Sequence, residues 1–164
     1  MFVCRSEKLH NVSEEARSKS KSNISYNKEN KIMRILFVCK HNRFRSKVAE
    51  CIFNKLNKNP KNRAESAGIL LDPVRPYIAD NVIKVMEEKG YVVKGKPKQF
   101  NKKMLKAFDI AVIVANNVEE NMFSDFNGRV MRWNIFDCDE CDINSIKKII
   151  DEIEGKVRDL INLF

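Results

Sequence analysis

The sequence has little glycine, little proline and no long apolar run. It contains 5 Gly and 4 Pro among 164 residues, which excludes collagen-like and low-complexity chains. No apolar segment approaches the roughly 18 residues that a membrane-spanning helix needs. The N-terminus is polar and lacks the apolar stretch of a secretory signal. We therefore expect a cytoplasmic protein that does not associate with membranes.

The cysteine count and the overall charge narrow the class of protein further. Five cysteines make an odd number and no export signal accompanies them, so we expect reduced thiols rather than a disulfide framework. Hydrophobic residues form 43% of the chain, which is enough to bury a core. The formal net charge of +9 permits phosphorylated or nucleic-acid partners without choosing between them.

The chain divides into two segments of different composition. Residues 1–32 cluster Lys, Ser, Asn and Glu without a sustained apolar period, so we expect a disordered N-terminal extension. Residues 33–164 would form one domain. Met33 immediately precedes the first strand-like run, which suggests the hypothesis that translation starts there. Mass spectrometry that found a native N-terminus upstream of Met33 would disprove this hypothesis.

Strand-like and helix-like segments alternate from Met33 onward. Short runs of apolar and β-branched residues predict strands at 35–38, 63–67, 110–114 and 130–133. Apolar residues at helical spacing predict three helices. The first covers 48–56, the second begins within 72–77 and ends at Gly90, and the third covers 146–161 with Ser145 as its cap. Short helical segments are predicted after Asn101 and at 118–124. This alternation predicts an α/β protein, a single three-layer domain in which a four-stranded parallel sheet carries helices on both faces.

A cysteine stands where the first predicted strand meets the first helix. The segment CKHNRFRS (39–46) connects the two. A loop that runs into a helix N-terminus points successive backbone N–H groups inward and forms a cradle for an anion. Cys39 at its base would be held as a thiolate, Arg45 would grip two phosphate oxygens, and Ser46 would donate its hydroxyl to the thiolate. The pattern predicts a nucleophile beneath a bound phosphoryl group.

The residues around this loop resemble the signature of the low-molecular-weight protein tyrosine phosphatases. The resemblance is carried by ILFVCKHNRFRSKVAE at 35–50, by Ser-Ala-Gly at 66–68 and by Ile-Phe-Asp at 135–137. Thioredoxin-coupled arsenate reductases share the fold and the loop. The resemblance covers about residues 33–160, and it implies a four-stranded parallel sheet, a phosphocysteine intermediate, and no metal or cofactor.

The resemblance also implies roles for individual residues. Cys39 would be the nucleophile, Arg45 would bind phosphate and stabilise the transition state, and Asp137 would be the general acid. Asn42 would brace the loop, and Ser66 would hold Asn42 in place. The loop residues in contact with the substrate would be Lys40, His41, Asn42, Arg43, Phe44 and Ser46.

The sequence departs from the family pattern at several positions. His41 stands where tyrosine phosphatases commonly have Gly, and Phe44 stands where many of them have a second Cys. Cys138 replaces the Pro that follows the acid, and the next residues are Asp-Glu-Cys-Asp instead of the aromatic residues that grip a phosphotyrosine ring. Asp139 is the alternative acid. Asp137 is favoured because the loops after the first and fourth strands would meet in one crevice of the sheet.

Arsenate reduction is the nearest alternative function. It needs a resolving cysteine, which in that family follows the third strand. Residues 115–120 contain no Cys, so Cys138 or Cys141 would have to substitute. Their Cys-x-x-Cys spacing could also begin a zinc site, but the other candidate ligands are too few. We further hypothesise that oxidation joins one of these cysteines to Cys39 and switches the enzyme off.

Two non-catalytic functions remain as alternatives. A basic nucleic-acid-binding module would use the lysine-rich stretch at 94–106, although no recognised nucleic-acid-binding motif is present. A phospholigand-binding relative would lack catalysis, which the presence of Cys39, Arg45 and Asp137 opposes. We expect a monomeric enzyme that hydrolyses phosphate monoesters, preferably phosphotyrosine in protein, and that also accepts small phosphomonoesters.

Overall fold

Four parallel strands form one sheet in the order β2-β1-β3-β4. They are β1 (Arg34–Cys39), β2 (Arg63–Gly68), β3 (Ile110–Val114) and β4 (Arg129–Trp133). The structure, a computed structural model, describes residues 32–164, so the predicted disorder of the N-terminal extension lies outside the described residues except at Ile32. The prediction of a four-stranded parallel sheet is confirmed.

Three α-helices cover one face of the sheet. They are α1 (Arg45–Leu56), α2 (Asp80–Glu88) and α3 (Ile143–Asn162). The opposite face is covered by two 3₁₀ helices, Lys102–Ala107 and Glu120–Phe123, and by the loops around them. The prediction of helices on both faces is therefore confirmed, with short 3₁₀ helices in the second layer. No helix within residues 32–164 combines the length and the apolar character needed to cross a membrane.

Strand β1 lies at the centre of the sheet, between β2 and β3. Its residues Ile35 and Phe37 pack against the three α-helices, whereas Leu36 and Val38 pack against the 3₁₀ layer. All four side chains are fully buried, which explains why the strand is continuously apolar rather than alternating. This burial fixes the carboxyl end of β1, and with it Cys39, at the middle of one sheet edge.

Helix α2 begins later than predicted. The expected start at 72–77 is wrong, because the helix starts at Asp80. Pro73 and Pro76 disfavour helical backbone in the residues that precede them, and the Asp72 carboxylate instead accepts hydrogen bonds from the backbone N–H groups of Val74 and Arg75 in a turn. Residues 72–79 therefore form an irregular loop beside the carboxyl end of the sheet.

Helix α3 begins earlier than predicted. Its cap is Asp142, whose carboxylate accepts a hydrogen bond from the backbone N–H of Ser145 at 3.0 Å. The prediction of Ser145 as the cap is therefore wrong by three residues, because the apolar period begins only inside the first turn. The predicted end of α2 at Gly90 agrees with the structure, since Gly90 follows the last helical turn with a φ of 82°, a conformation that favours glycine.

Candidate active site

The sulfur of Cys39 lies at the base of the loop that joins β1 to α1. Its side chain is buried at 2% exposure. The backbone N–H of Asn42 donates to the Cys39 Sγ at 3.3 Å, and the Ser46 Oγ lies 3.0 Å from the same sulfur. A negative charge on the sulfur would thus meet a backbone donor, a hydroxyl and the N-terminus of α1, all of which stabilise an anion.

The loop keeps its shape through the side chain of Asn42. This residue has a φ of 56°, a left-handed conformation that Asn tolerates better than most side chains. Its amide Nδ2 donates to the Ser46 Oγ at 2.7 Å and to the Ser66 Oγ at 2.8 Å, while its Oδ1 accepts from the backbone N–H of Lys98 at 2.8 Å. Because Asn42 is fully buried, these bonds satisfy an amide that water does not reach.

Strand β2 supports the loop from beneath. A Cβ built on Gly68 would lie 2.7 Å from the backbone carbon of His41 and 2.8 Å from the backbone nitrogen of Asn42. Only glycine allows this approach of strand and loop without displacement. Strand pairing places Gly68 directly opposite Cys39, so the close contact lies immediately beside this cysteine.

A half-buried acid extends this hydrogen-bond network behind the loop. The Ser66 hydroxyl donates to the Glu50 carboxylate, and the Lys47 ammonium donates to the same oxygen at 3.1 Å. Lys47 is only 3% exposed. Sequence reasoning assigned a role to Ser66 but missed Glu50 and Lys47. Their position in the sequence could have indicated this role, because both residues lie in the first turns of α1, immediately after the cysteine loop.

Arg45 connects the cysteine loop to the loop after β4. Its guanidinium, 2% exposed, donates to the backbone carbonyl of Ile135 at 2.9 Å and to the Asp137 carboxylate at 2.8 Å. Asp137 is partly exposed and also accepts from the backbone N–H of Cys138. The structure therefore brings Cys39, Arg45 and Asp137 to one place, at the carboxyl ends of β1 and β4.

A cavity of about 380 Å³ opens at this place. The predicted site residues Lys40, Asn42 and Ser46 are not among its lining residues. Lys40 instead accepts a backbone hydrogen bond from Leu70, and the other two are buried behind the loop. The residues that line the cavity are Cys39, His41, Arg43, Phe44, Arg45, Arg75, Asp137, Cys138, Asp139, Glu140 and Cys141.

Three lining residues, Arg43, Arg75 and Glu140, form a charged cluster that the sequence did not reveal. The Glu140 carboxylate pairs with the guanidinium of Arg43 and, at 3.2 Å, with that of Arg75. Arg43 is 6% exposed, its Nε donates to the Tyr77 carbonyl at 2.8 Å, and its guanidinium lies over the Tyr77 ring. Arg43 was predicted to contact substrate, whereas Arg75 and Glu140 were not assigned any role.

His41 and Asp139 have defined hydrogen-bond partners at the edge of the cavity. The His41 Nδ1 lies 2.6 Å from the Leu70 carbonyl, and because a carbonyl only accepts, this nitrogen carries the proton. The Asp139 carboxylate accepts from the backbone N–H of Cys141 at 2.7 Å. The predicted alternative acid is thus engaged in a local turn, whereas Asp137 contacts Arg45 in the cavity that Cys39 also lines.

The other cysteines differ in their surroundings. Burial, followed by the charges of Asp137 and Asp142, raises the pKa of the Cys138 thiol. Burial, followed by the charge of Glu50, raises the pKa of the Cys51 thiol, which lies on α1 away from the cavity. Within residues 32–164 no three side chains of His, Cys, Asp or Glu are grouped closely enough to hold a metal ion, and Cys4 and His10 lie outside that range.

A parallel α/β sheet with a cysteine loop at the carboxyl end of its first strand defines a class of cysteine-based phosphatases and reductases. Residues 34–163 match the model of the family described as low molecular weight phosphotyrosine protein phosphatase. The chain belongs to this family. Among curated protein sequences, none matches the chain significantly.

Solved structures of related proteins share the fold. An arsenate reductase from Archaeoglobus fulgidus DSM 4304 is 30% identical, with a TM-score of 0.65 over 78% of this chain and 98% of that chain. A low molecular weight protein tyrosine phosphatase from T. tengcongensis is 24% identical, with a TM-score of 0.70 over 80% and 99%. The YwlE arginine phosphatase from Geobacillus stearothermophilus is 19% identical, with a TM-score of 0.67 over 79% and 91%. The last two comparisons demonstrate the fold alone.

Proposed function

We propose that this protein is a phosphatase that hydrolyses phosphate monoesters through a phosphocysteine intermediate. The single observation that carries the proposal is the position of the Cys39 sulfur, which lies buried at the base of an N–H-lined loop and shares one cavity with Arg45 and Asp137. Membership of the family supports phosphorylated substrates.

In the first step the Cys39 thiolate would attack phosphorus. An S–P bond forms and the bond from phosphorus to the ester oxygen breaks. The backbone N–H groups of residues 40–45 and the guanidinium of Arg45 would stabilise the charge on the equatorial oxygens. Arg45 is well placed for this role, because it is buried and held by the Ile135 carbonyl. A phosphate dianion that binds Arg45 would replace its contact with Asp137.

Asp137 would handle the proton in both steps. It would donate a proton to the departing ester oxygen, so that a neutral alcohol leaves. As a carboxylate it would then accept a proton from the water that attacks phosphocysteine, which releases inorganic phosphate and restores the Cys39 thiolate. Its place in the lining of the cavity that Cys39 and Arg45 share supports this role.

We further propose phosphotyrosine in protein as the preferred ester. Cys39 lies at the base of the cavity with only 2% exposure, so the reacting phosphorus must be carried in on a long side chain. Two exposed aromatic residues lie near the cavity residues and could contact a tyrosine ring: Tyr77 under Arg43, and Phe136 next to Asp137. Small aryl phosphates would also enter.

Hydrolysis of para-nitrophenyl phosphate by the full chain tests the proposal. We expect turnover by the parent, none by Cys39→Ser, and a rate reduced about 10²-fold or more in Asp137→Ala, as is typical for loss of a general acid. Trapping of a phosphorylated cysteine peptide by rapid acid quench would identify the intermediate. A folded and reduced parent without turnover would overturn the proposal.

Arsenate reduction is the second candidate, and the cavity supplies one observation in its favour. Cys138 and Cys141 line the same cavity as Cys39. The Cys39 thiolate would displace water from arsenate, and a second thiolate would then attack the Cys39 sulfur, release arsenite and form a disulfide. Two thiols are oxidised while arsenic gains two electrons. Burial and the charges of Asp137 and Asp142 raise the pKa of Cys138 and disfavour its thiolate. Residues 115–120, where the reductase family has its resolving cysteine, contain none, and phosphatase activity therefore ranks first.

Arsenate-dependent NADPH oxidation, coupled through thioredoxin and thioredoxin reductase, separates the two functions. A phosphatase would show no arsenate-dependent oxidation. A reductase would lose its activity when both Cys138 and Cys141 are replaced by Ser, while its activity toward para-nitrophenyl phosphate, if present, would persist.

A further inference from the structure

The loop that carries the proposed acid lacks the residue expected to stiffen it. We call residues 137–142, between β4 and α3, the acid loop. Where the family resemblance places a proline after the acid, this chain has Cys138, which leaves the backbone φ angle unrestricted. A general acid works only if its oxygen is held within hydrogen-bond reach of the leaving group. Something else must therefore hold the acid loop.

Glu140 ties the acid loop to three other segments of the protein. Its carboxylate pairs with Arg43 of the cysteine loop and with Arg75 of the loop before α2. Its backbone carbonyl accepts a hydrogen bond from the Asn81 side chain of α2 at 2.8 Å. The anchors come from different parts of the chain, so they restrain both position and orientation of the loop.

The two arginines are themselves held firmly. Arg43 is buried and is fixed by the carbonyl and the ring of Tyr77. Arg75 donates to the Asp72 carboxylate at 2.8 Å. An exposed ion pair is worth little on its own, but a buried guanidinium left without its carboxylate is costly. Glu140 is therefore held in place by its pairing with Arg43.

Hydrogen bonds between near neighbours in the sequence extend this restraint along the acid loop. The Asp139 carboxylate accepts from the backbone N–H of Cys141, and the Asp139 carbonyl accepts from the N–H of Asp142. Asp142 in turn caps α3. On the other side, the Ile135 carbonyl is bonded to Arg45. Asp137 thus lies between two fixed points that are only a few residues apart.

We infer that Glu140 is a positioning residue that holds Asp137 at the cavity by pairing with Arg43 and Arg75. This inference rests on the proposed function, because it assumes that Asp137 is the general acid. Glu140 replaces by ion pairing the restraint that a proline would supply covalently. It does not touch the reacting atoms itself, and its effect on the reaction passes through Asp137.

A positioning role predicts a dependence on the leaving group. A general acid matters most when the alcohol leaves poorly and least when it leaves well. We measure kcat/KM, which includes the step that expels the leaving group, for phenyl phosphate and for 2,4-dinitrophenyl phosphate. Glu140→Ala should lower the value for phenyl phosphate about tenfold and change that for 2,4-dinitrophenyl phosphate less than about twofold.

Three further variants of the full chain make the test specific. Arg75→Met removes the partner of Glu140 that lies outside the cysteine loop. It should lower kcat/KM for phenyl phosphate in the same way, but by a smaller factor. Glu152→Ala, on the exposed face of α3, is the matched control and should leave both substrates unchanged. The double variant Asp137→Ala/Glu140→Ala should be no slower than Asp137→Ala alone, because residues that act through one another are not additive.

The possible failures can be told apart. Equal loss with both substrates in Glu140→Ala, or additive losses in the double variant, would overturn the positioning role while leaving the proposed function intact. If Asp137→Ala lost the same factor in kcat/KM with both substrates, the general-acid role of Asp137 and the positioning role of Glu140 would both be overturned. Thermal unfolding of each variant verifies that the losses do not come from unfolding.

Discussion

At the scale of single residues, hydrogen-bond directions around Cys39 follow from one charged group. The Glu50 carboxylate can only accept, so the Ser66 hydroxyl points its proton at Glu50 and offers a lone pair to Asn42. Asn42 then donates to Ser46, which leaves the Ser46 proton for the Cys39 sulfur. A carboxylate remote from the cavity thereby sets the direction of the hydroxyl that would stabilise the thiolate.

Ser66→Ala tests this chain of hydrogen bonds. The variant removes the partner of one amide proton of the fully buried Asn42, and it removes one of the hydrogen bonds to the half-buried Glu50 carboxylate. We expect a loss of about 1–3 kcal/mol in the free energy of unfolding, the usual penalty for a buried polar group without a partner, measured by urea denaturation. Ser124→Ala at an exposed position should stay within about 0.5 kcal/mol of the parent. Equal stability of both variants would contradict the interpretation.

At the scale of elements, β2 and the cysteine loop touch without room for a side chain. Gly68→Ala would force a methyl group to within 2.7 Å of the backbone of His41, and the backbone cannot yield as a side-chain tip can. We expect a decrease of about tenfold or more in kcat/KM for para-nitrophenyl phosphate, because a small displacement of catalytic groups is costly.

Gly155→Ala is the matched control for that prediction. Gly155 lies within α3, and a Cβ there meets nothing within 4 Å. Alanine favours the helix over glycine by about 0.5–1 kcal/mol, so this variant should unfold at a higher urea concentration and retain full activity. A Gly68→Ala variant as active as Gly155→Ala would show that the loop has more freedom than its contacts imply.

Helices α2 and α3 are joined by a charged contact whose strength depends on pH. Burial raises the pKa of Glu154, but hydrogen bonds from Arg158, Tyr91 and Lys89 outweigh it and lower the pKa below its ordinary value. The Lys89 ammonium also lies 2.7 Å from Asp151. A carboxyl group whose pKa is lower in the folded state stabilises that state above its unfolded pKa, and the contribution is lost as the pH falls through the folded value.

Glu154→Gln should therefore destabilise the protein in a pH-dependent manner. Near neutral pH we expect a loss of about 0.5–1 kcal/mol, since the contact is close to the surface. The difference between parent and variant should shrink once the pH falls below about 4.3, the ordinary pKa of Glu. Urea denaturation at pH 7 and pH 3 measures it, and a difference that grows in acid would contradict the assigned sign.

At the scale of the whole molecule, two of the six lysines in the 94–106 stretch are paired with carboxylates. Lysines of the 94–106 stretch pair with acids: Lys98 lies 3.1 Å from Glu65, and Lys102 lies 3.2 Å from Asp125. The cavity itself mixes guanidinium and carboxylate groups. Neighbouring charges of opposite sign reduce the attraction for phosphate groups, so we predict that the protein does not bind nucleic acid specifically.

Electrophoretic mobility of DNA and RNA tests the remaining non-catalytic alternative. We expect the full chain to retard a random-sequence duplex or single strand at low salt and to lose this effect by about 0.15 M salt. Non-specific binding is driven by the release of counterions from the nucleic acid, and added salt weakens that driving force. A shift that persists at that salt concentration would favour a nucleic-acid partner.

Local patterns in the sequence were sufficient to predict the sheet and the cysteine loop. The apolar runs of β1 and β3 are short and rich in β-branched residues, which favours buried strands. Cys39, Arg45 and Ser46 belong to one segment in which a strand leads into a helix N-terminus. The starts of α2 and α3 were misplaced, since Pro and Asp side chains outweighed the apolar period there.

The residues that complete the site from distant parts of the chain are recognised only once the chain is folded. Arg43 and Glu140 are 97 residues apart in the chain, and Glu50 reaches Ser66 because α1 packs on the sheet beside β2. Such pairings join polar side chains, which follow no apolar period and can each meet several partners. Local sequence therefore cannot select among them, whereas packing of the helices against the sheet brings one set of partners within hydrogen-bond distance.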